Sequence, residues 1–237
     1  MNTSHLGKIL LVFATLAFSA IPLSAQVTNS SYTGTDMGHW GTAGNWTPAV
    51  VPDNTGVMSY NVSIADHAVT LDIDPTISIL SLGGDSASIT SVDRSLSANA
   101  TSLTPAGSLD FTADKANVLM DAGSLSDFSG TTLTGGTYSL RSAPGKTATL
   151  RFDGANIRTN SAAIFLVGAG SQIVNESNVN ALAHLQLNTV EGFLDFEKGQ
   201  NIATPGSFVN DGFLYLDRTT FTVNGDFTSV GDRRDPG

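Results

Sequence analysis

The sequence predicts an all-β chain built as a solenoid of short strands, and three observations predict it. The first is composition: 27 Thr, 26 Ser, 24 Gly and 16 Asn fill 93 of 237 positions, and Asp outnumbers Glu by 18 to 3. Asp, Asn, Ser and Gly suit tight bends, Thr suits strands, and the scarce Glu and Lys would have favoured helix surfaces. The second is pattern, because apolar and polar residues alternate over short runs separated by turn clusters. The third is internal similarity. Gly192-Phe193-Leu194-Asp195-Phe196 matches Gly212-Phe213-Leu214-Tyr215-Leu216, and Gly107-Ser108-Leu109-Asp110-Phe111 has the same shape. Gly123-Ser124-Leu125 reads as the start of another copy, which sets an expected period of about 16 to 22 residues per rung. Such a rung cannot bury its inward Leu, Ile and Phe alone, so stacking on neighbours must stabilise it. A β-sandwich is the competing architecture, since it also reads as strands at turn-punctuated intervals.

Residues 1–25 read as a secretory signal peptide. Lys8 precedes the apolar run Ile9 to Phe18, Pro22 breaks it, and Leu23-Ser24-Ala25 places small residues before a cleavage at Ala25/Gln26. The apolar run is short for a bilayer span, which needs about 20 residues. No second apolar segment follows, so the expected mature chain is exported and has no transmembrane segment. Residues 26–60 form an N-terminal cap segment that carries both tryptophans, Trp40 and Trp46, six residues apart among Gly and Asn. These rings either cover the open first rung of a β structure or offer a stacking platform to a sugar, which makes them the candidate ligand contacts.

Residues 61–231 are expected to form the repeats. Candidate strands are Asn61 to Ile64, Ala68 to Ile73, Ile77 to Leu82, Ser108 to Phe111, Val118 to Met120, Tyr138 to Leu140 and Thr149 to Phe152. Ala163 to Val167, Gln172 to Val174, Phe193 to Phe196, Phe213 to Leu216 and Phe221 to Val223 follow. Most are three to six residues long. Asn178 to Leu185 is the one segment with a helical look, and it is expected to protrude from a rung as a short loop. Residues 232–237 read as an unstructured tail. About eight to ten rungs fit the length.

Composition also excludes chemistry. The chain has no cysteine, which removes disulfides, thiolate metal sites and Cys nucleophiles. A formal charge of -10 with 11 basic residues speaks against nucleic acid and anionic membrane surfaces. His39, His67 and His184 are far apart and lack ligand spacing, and Asp66, Asp72 and Asp74 match no calcium loop. Metal and cofactor are therefore expected to be none. No Gly-x-Ser-x-Gly elbow occurs, and Gly168-Ala169-Gly170 lacks the third glycine of a phosphate cradle. Arg141, Arg151 and Arg158 fall in one stretch with Asp153 and would have to share a face to read towards polysaccharide cleavage, and solvated rung edges are the plainer account. No catalytic residue is assigned. Asn-x-Ser/Thr triplets at Asn29, Asn45, Asn61, Asn99 and Asn175 are expected by chance at this Ser/Thr content.

The segments Asp127 to Tyr138, Leu150 to Ile157 and Gly206 to Leu214, with Trp40…Gly44-Asn45-Trp46…Val51-Pro52, resemble exported bacterial repeat proteins of the autotransporter-passenger and PEP-CTERM-associated kind. The resemblance implies a right-handed parallel β-helix, displayed on or released from a bacterial surface (periplasm included), without catalytic activity. That family continues into further rungs and then a barrel or sorting tail, whereas this sequence stops at Asp232-Arg233-Arg234-Asp235-Pro236-Gly237. Truncation, or self-association through an uncapped last rung, is the expectation that follows. The expected function is a non-enzymatic surface structural or adhesive module. Its partners would be extracellular polysaccharide or other surface proteins. A polysaccharide-binding or polysaccharide-degrading β-helix is the alternative.

Overall fold

A computed structural model describes residues 26–104 and 106–230, and nearly all of their regular structure is strand. The one helical element is a three-residue 3-10 turn at Ala43–Asn45. Among the described residues no helix is long and apolar enough to cross a membrane. The expected signal peptide (1–25) and tail (232–237) lie outside the described residues.

The chain alternates between two sheets. The first runs, from one edge, through Trp46–Thr47, Gln26–Tyr32, Met58–Ala65, Thr76–Gly83, Leu96–Leu103, Val118–Asp121, Ala148–Arg151 and Ser171–Val174. The second runs through Gly38–His39, Ala68–Leu71, Ser88–Val92, Ser108–Ala113, Thr132–Ser142 and Thr159–Val167. It then divides. Phe193–Glu197 and Phe213–Asp217 continue from one half of Thr159–Val167, while Leu187–Asn188, Phe208–Asn210 and Phe227–Ser229 continue from the other. Ile202–Thr204 and Phe221–Val223 form a third, two-stranded sheet. Among the named strands only Trp46–Thr47 and Phe128–Ser129 pair antiparallel. The molecule is therefore all-β with repeated parallel sheets.

Register explains why these residues are strands. In the second sheet one inward column is Val69, Ile89, Leu109, Tyr138, Ile164, Leu194 and Leu214. The residue numbers step by 20, 20, 29, 26, 30 and 20 along that column. The 20-residue offset between the two Gly-x-Leu segments is thus a real pairing, Leu194 lying against Leu214. The longer steps exceed the expected period because loops and short strands are inserted between levels. Gly123-Ser124-Leu125 is not a copy of that motif, since Ser124–Leu125 pairs with Ala100 and Thr101 in the first sheet. Several strands are also longer than expected, up to 11 residues at Thr132–Ser142. Strands at Ser88–Val92, Leu96–Leu103 and Phe208–Asn210 were not anticipated.

The segment from Asn178 to Leu185 does not protrude as expected. Ala181, Leu182 and Leu185 are buried, the Ala181 N–H donates to the Ile173 carbonyl, and the Ile157 N–H donates to the Ala181 carbonyl. Three apolar side chains in eight residues gain more by folding onto the last strand of the first sheet than by solvation.

The interior is mostly apolar, and two of its polar exceptions lie in columns of the sheets. Asn160, Asn188 and Asn210 stack in register: Asn160 Nδ2 donates to Asn188 Oδ1 at 2.9 Å, Asn188 Nδ2 to Asn210 Oδ1 at 2.8 Å, and Asn210 Nδ2 to the Gly212 carbonyl at 3.1 Å. Asn188 Nδ2 also reaches the Phe213 carbonyl at 2.9 Å. A buried amide is tolerated there because the ladder satisfies both its donor and its acceptor. The other exception is the first-sheet column Ser30, Val62, Leu80, Thr101 and Leu125. The hydroxyls of Ser30 and Thr101 are buried there without a hydrogen-bond partner.

The aspartate surplus has a structural use in the turns. Asp53, Asp66, Asp74 and Asp93 each accept a backbone N–H from the turn of the following level, at Thr76, Asp85, Ser95 and Asp114 to Ala116 respectively. A short carboxylate reaches a neighbouring turn with few torsions to fix, and Glu176 does the same for the Gly154 N–H at 2.7 Å. The three backbone N–H groups around Asp93 hold its carboxyl below the usual range.

Candidate functional site

The two tryptophans do not present a surface. Trp40 is 0% and Trp46 2% exposed. The Trp40 indole donates to the Pro52 carbonyl at 2.9 Å, and that of Trp46 donates to the Trp40 carbonyl at 2.8 Å. Their rings meet edge-on at 4.8 Å, and Tyr32 packs on Trp46 at 5.2 Å. With faces and N–H groups spent inside the core, neither ring is free to stack on a ligand. Large apolar area and a polar handle suit this internal role.

Arg141, Arg151 and Arg158 do not share one face. Arg151 lies on the first sheet and pairs with Asp121 of the adjacent strand, whose carboxylate holds the guanidinium pKa up. Arg141 lies on the second sheet, and Arg158 is exposed in the connection before Thr159–Val167. His67 contacts Asp36 at 3.0 Å, His184 contacts Asn156 at 3.1 Å, and His39 lies 3.9 Å from Asp72. Among the described residues no three His, Asp or Glu side chains converge on a point that could hold a metal ion. Asp66, Asp72 and Asp74 each accept a backbone N–H instead.

The outer face of the second sheet is where unusual side chains gather. Alternation along each strand sends one residue in two outwards. The outward column Thr70, Thr90, Asp110, Ser139, Phe165, Asp195 and Tyr215 changes from small and polar to partly aromatic after Ser139. The column beside it reads Ser108, Thr137, Ala163, Phe193 and Phe213. Phe165 lies 4.9 Å from Phe193, and Phe193 stacks on Phe213 at 4.4 Å with planes 12° apart. These rings climb the outside of the sheet. Next to them Asp195 carries a carboxyl raised above its usual range, by burial first and by Glu197 and Asp217 after it, with Arg141 opposing.

Between the polar and aromatic portions the sheet is interrupted. Gly135 and Gly136 insert one extra residue in Thr132–Ser142 where Thr134 pairs with Ser161 and Thr137 with Ala163. Both glycines have positive φ, 66° and 71°, a conformation that favours glycine. Beside the bulge lies a shallow cleft of about 470 Å³, lined by Thr134, Gly135, Gly136, Thr137, Ser161 and Glu191 with Ala162 and Ala163. A second cleft of about 260 Å³ adjoins it through Thr134 and Gly135 and reaches Leu103, Ser126 and Asp127.

Asp127 is only 8% exposed. Its oxygens accept from Ser126 Oγ at 2.9 Å, the Leu103 N–H at 3.3 Å and the Tyr138 hydroxyl at 3.4 Å. No cation pairs with it among the described residues, and burial raises its pKa above the usual carboxylate range. Along the other wall Thr189 hydroxyl joins Ser161 Oγ at 2.8 Å and Glu191 Oε2 at 3.1 Å. Asp127, Gly135, Gly136 and Glu191 were missed from sequence. Paired glycines inside an alternating strand run were the available signal for a bulge. Compared with protein-family models, curated proteins and solved structures, the chain matches none of them.

Proposed function

We propose that the chain is a right-handed parallel β-helix, exported to a bacterial surface, that acts without catalysis as a structural and adhesive module. The observation that carries this reading is the second sheet's outer face. Side chains there repeat at the strand spacing of roughly 4.8 Å over successive in-register levels. A regular face of this kind meets an extended polymer through many weak contacts at once, and affinity accumulates along its length. Hydroxyls of Thr70 and Thr90 and the rings of Phe165, Phe193 and Phe213 supply polar and apolar contacts on the same face. Extracellular polysaccharide or an extended surface protein is the partner class.

The test is co-sedimentation of purified residues 26–237 with insoluble bacterial extracellular matrix, together with a reducing-end assay on the same samples. The chain is expected to sediment with the matrix and to release no reducing ends. Failure to sediment would overturn the adhesive reading, and catalytic release of reducing ends would overturn its non-enzymatic part. N-terminal sequencing of the chain exported from a bacterial host should read Gln26 first. A retained leader would contradict export through cleavage at Ala25.

A further inference from the structure

We infer that the cleft beside the Gly135–Gly136 bulge is a binding subsite for an uncharged, hydroxyl-rich glycan segment. The inference rests on the adhesive reading and narrows it to one place and one ligand class. A bulge needed only to bend a strand explains the two glycines. It does not explain a nearly buried carboxyl without a cation at one end of the opening, or a hydrogen-bonded wall of Ser161, Thr189 and Glu191 at the other.

The lining matches the two sides of a sugar ring. Gly135 and Ala163 leave a floor with little side chain, against which the C–H face of a pyranose can lie, with Gly136 and Ala162 buried beneath it. Thr137 presents a hydroxyl that both donates and accepts, as sugar hydroxyls do; Thr134 and Ser161, whose hydroxyl hydrogens go to the Asp127 carbonyl and to Thr189, offer lone pairs, and Glu191 adds an exposed acceptor. No Lys or Arg lines either cleft, and each contains a carboxyl group, Glu191 in one and Asp127 in the other. Uronate and sulfate sugars are therefore repelled, while neutral ones are accepted. The cleft is open at the surface and wide for its depth, which suits an internal stretch of a chain more than its end.

Affinity electrophoresis of residues 26–237 tests this in gels cast with soluble neutral β-glucan, galactomannan or polygalacturonate. At least one neutral polymer is expected to retard the protein, and polygalacturonate is not. Ala163→Tyr, which fills the floor from an outward position, should weaken retardation at least about tenfold. Glu191→Gln and Thr137→Val keep side-chain volume and should each weaken it about threefold. Gln172→Ala on the first sheet should leave it unchanged. Circular dichroism confirms that each variant retains its strands. Retardation by polygalacturonate alone, by no neutral polymer, or unaltered by Ala163→Tyr and both volume-conserving variants would overturn the inference. Matrix co-sedimentation that persists under any of these results leaves the adhesive reading standing and removes only the subsite.

Discussion

The early and late levels of the second sheet share an interior and differ outside. Inward positions hold Val69, Ile89 and Leu109 early and Ile164 and Leu194 late, all buried. Outward positions hold Thr70, Thr90 and Asp110 early, then Phe165, Phe193, Phe213 and Tyr215 late. The inward column carries the burial energy of stacking, about 1.5–3 kcal/mol per large side chain, so its chemistry is constrained at every level. The outer column is free of that demand and can differ from level to level. The bulge and its clefts lie where the outer character changes.

The largest expected effects break the shared interior. Ile164→Ala should cost about 2–5 kcal/mol by chemical denaturation, because a fully buried side chain is lost between two occupied levels. Asn188→Ala should cost about 2–4 kcal/mol, since it leaves both Asn160 and Asn210 without their ladder partner. In the first sheet the sign reverses. Thr101→Val keeps the shape of a side chain whose hydroxyl has no partner, and should stabilise by about 1 kcal/mol. A loss of stability in that variant would mean that the hydroxyl is satisfied.

Smaller effects belong to the outside. Phe193→Ala should cost about 1 kcal/mol, the worth of an outer aromatic contact, and far less than Ile164→Ala. Equal costs would erase the distinction between the two columns. Asp127 has the mildest signature, a slope with pH. Its folded pKa is raised, so its favourable contribution is complete below the unfolded carboxylate range and is lost as pH rises through the folded value. Asp127→Asn should remove that slope, gaining on the wild type as pH rises through and above the ordinary carboxylate range. A parallel pair of stability curves would contradict the raised pKa.

Much of the strand inventory was legible because alternation is local: Phe193 to Phe196 and Phe213 to Leu216 announce both their strands and, through the shared Gly-x-Leu shape, their pairing. The destination of Gly123-Ser124-Leu125 was not legible. Which sheet a short segment joins depends on how much chain lies between levels, and that varies from 20 to 30 residues along one column. Trp40 and Trp46 illustrate the same limit, since two rings among glycines read either as a cover for the first rung or as a platform until the contacts with Pro52 and Tyr32 place them in the core. Asp127 was hidden for a related reason. Its partners Leu103, Ser126 and Tyr138 come from separate strands and connections, so no short motif contains them.

All of this depends on parallel, in-register stacking of successive levels, and the absence of cysteine makes a direct measurement simple. Thr90 is paired with Asp110, and Asp110 with Ser139. Adjacent strands lie roughly 4.8 Å apart, within the Cα range of about 4.4–6.8 Å that a disulfide needs, whereas two levels span roughly 10 Å. Under mild oxidation the double variant Thr90→Cys/Asp110→Cys should close a disulfide, and Thr90→Cys/Ser139→Cys should remain reduced. A disulfide in the second variant, or none in the first, would contradict the stacked register on which the interior, the outer face and its cleft all rest.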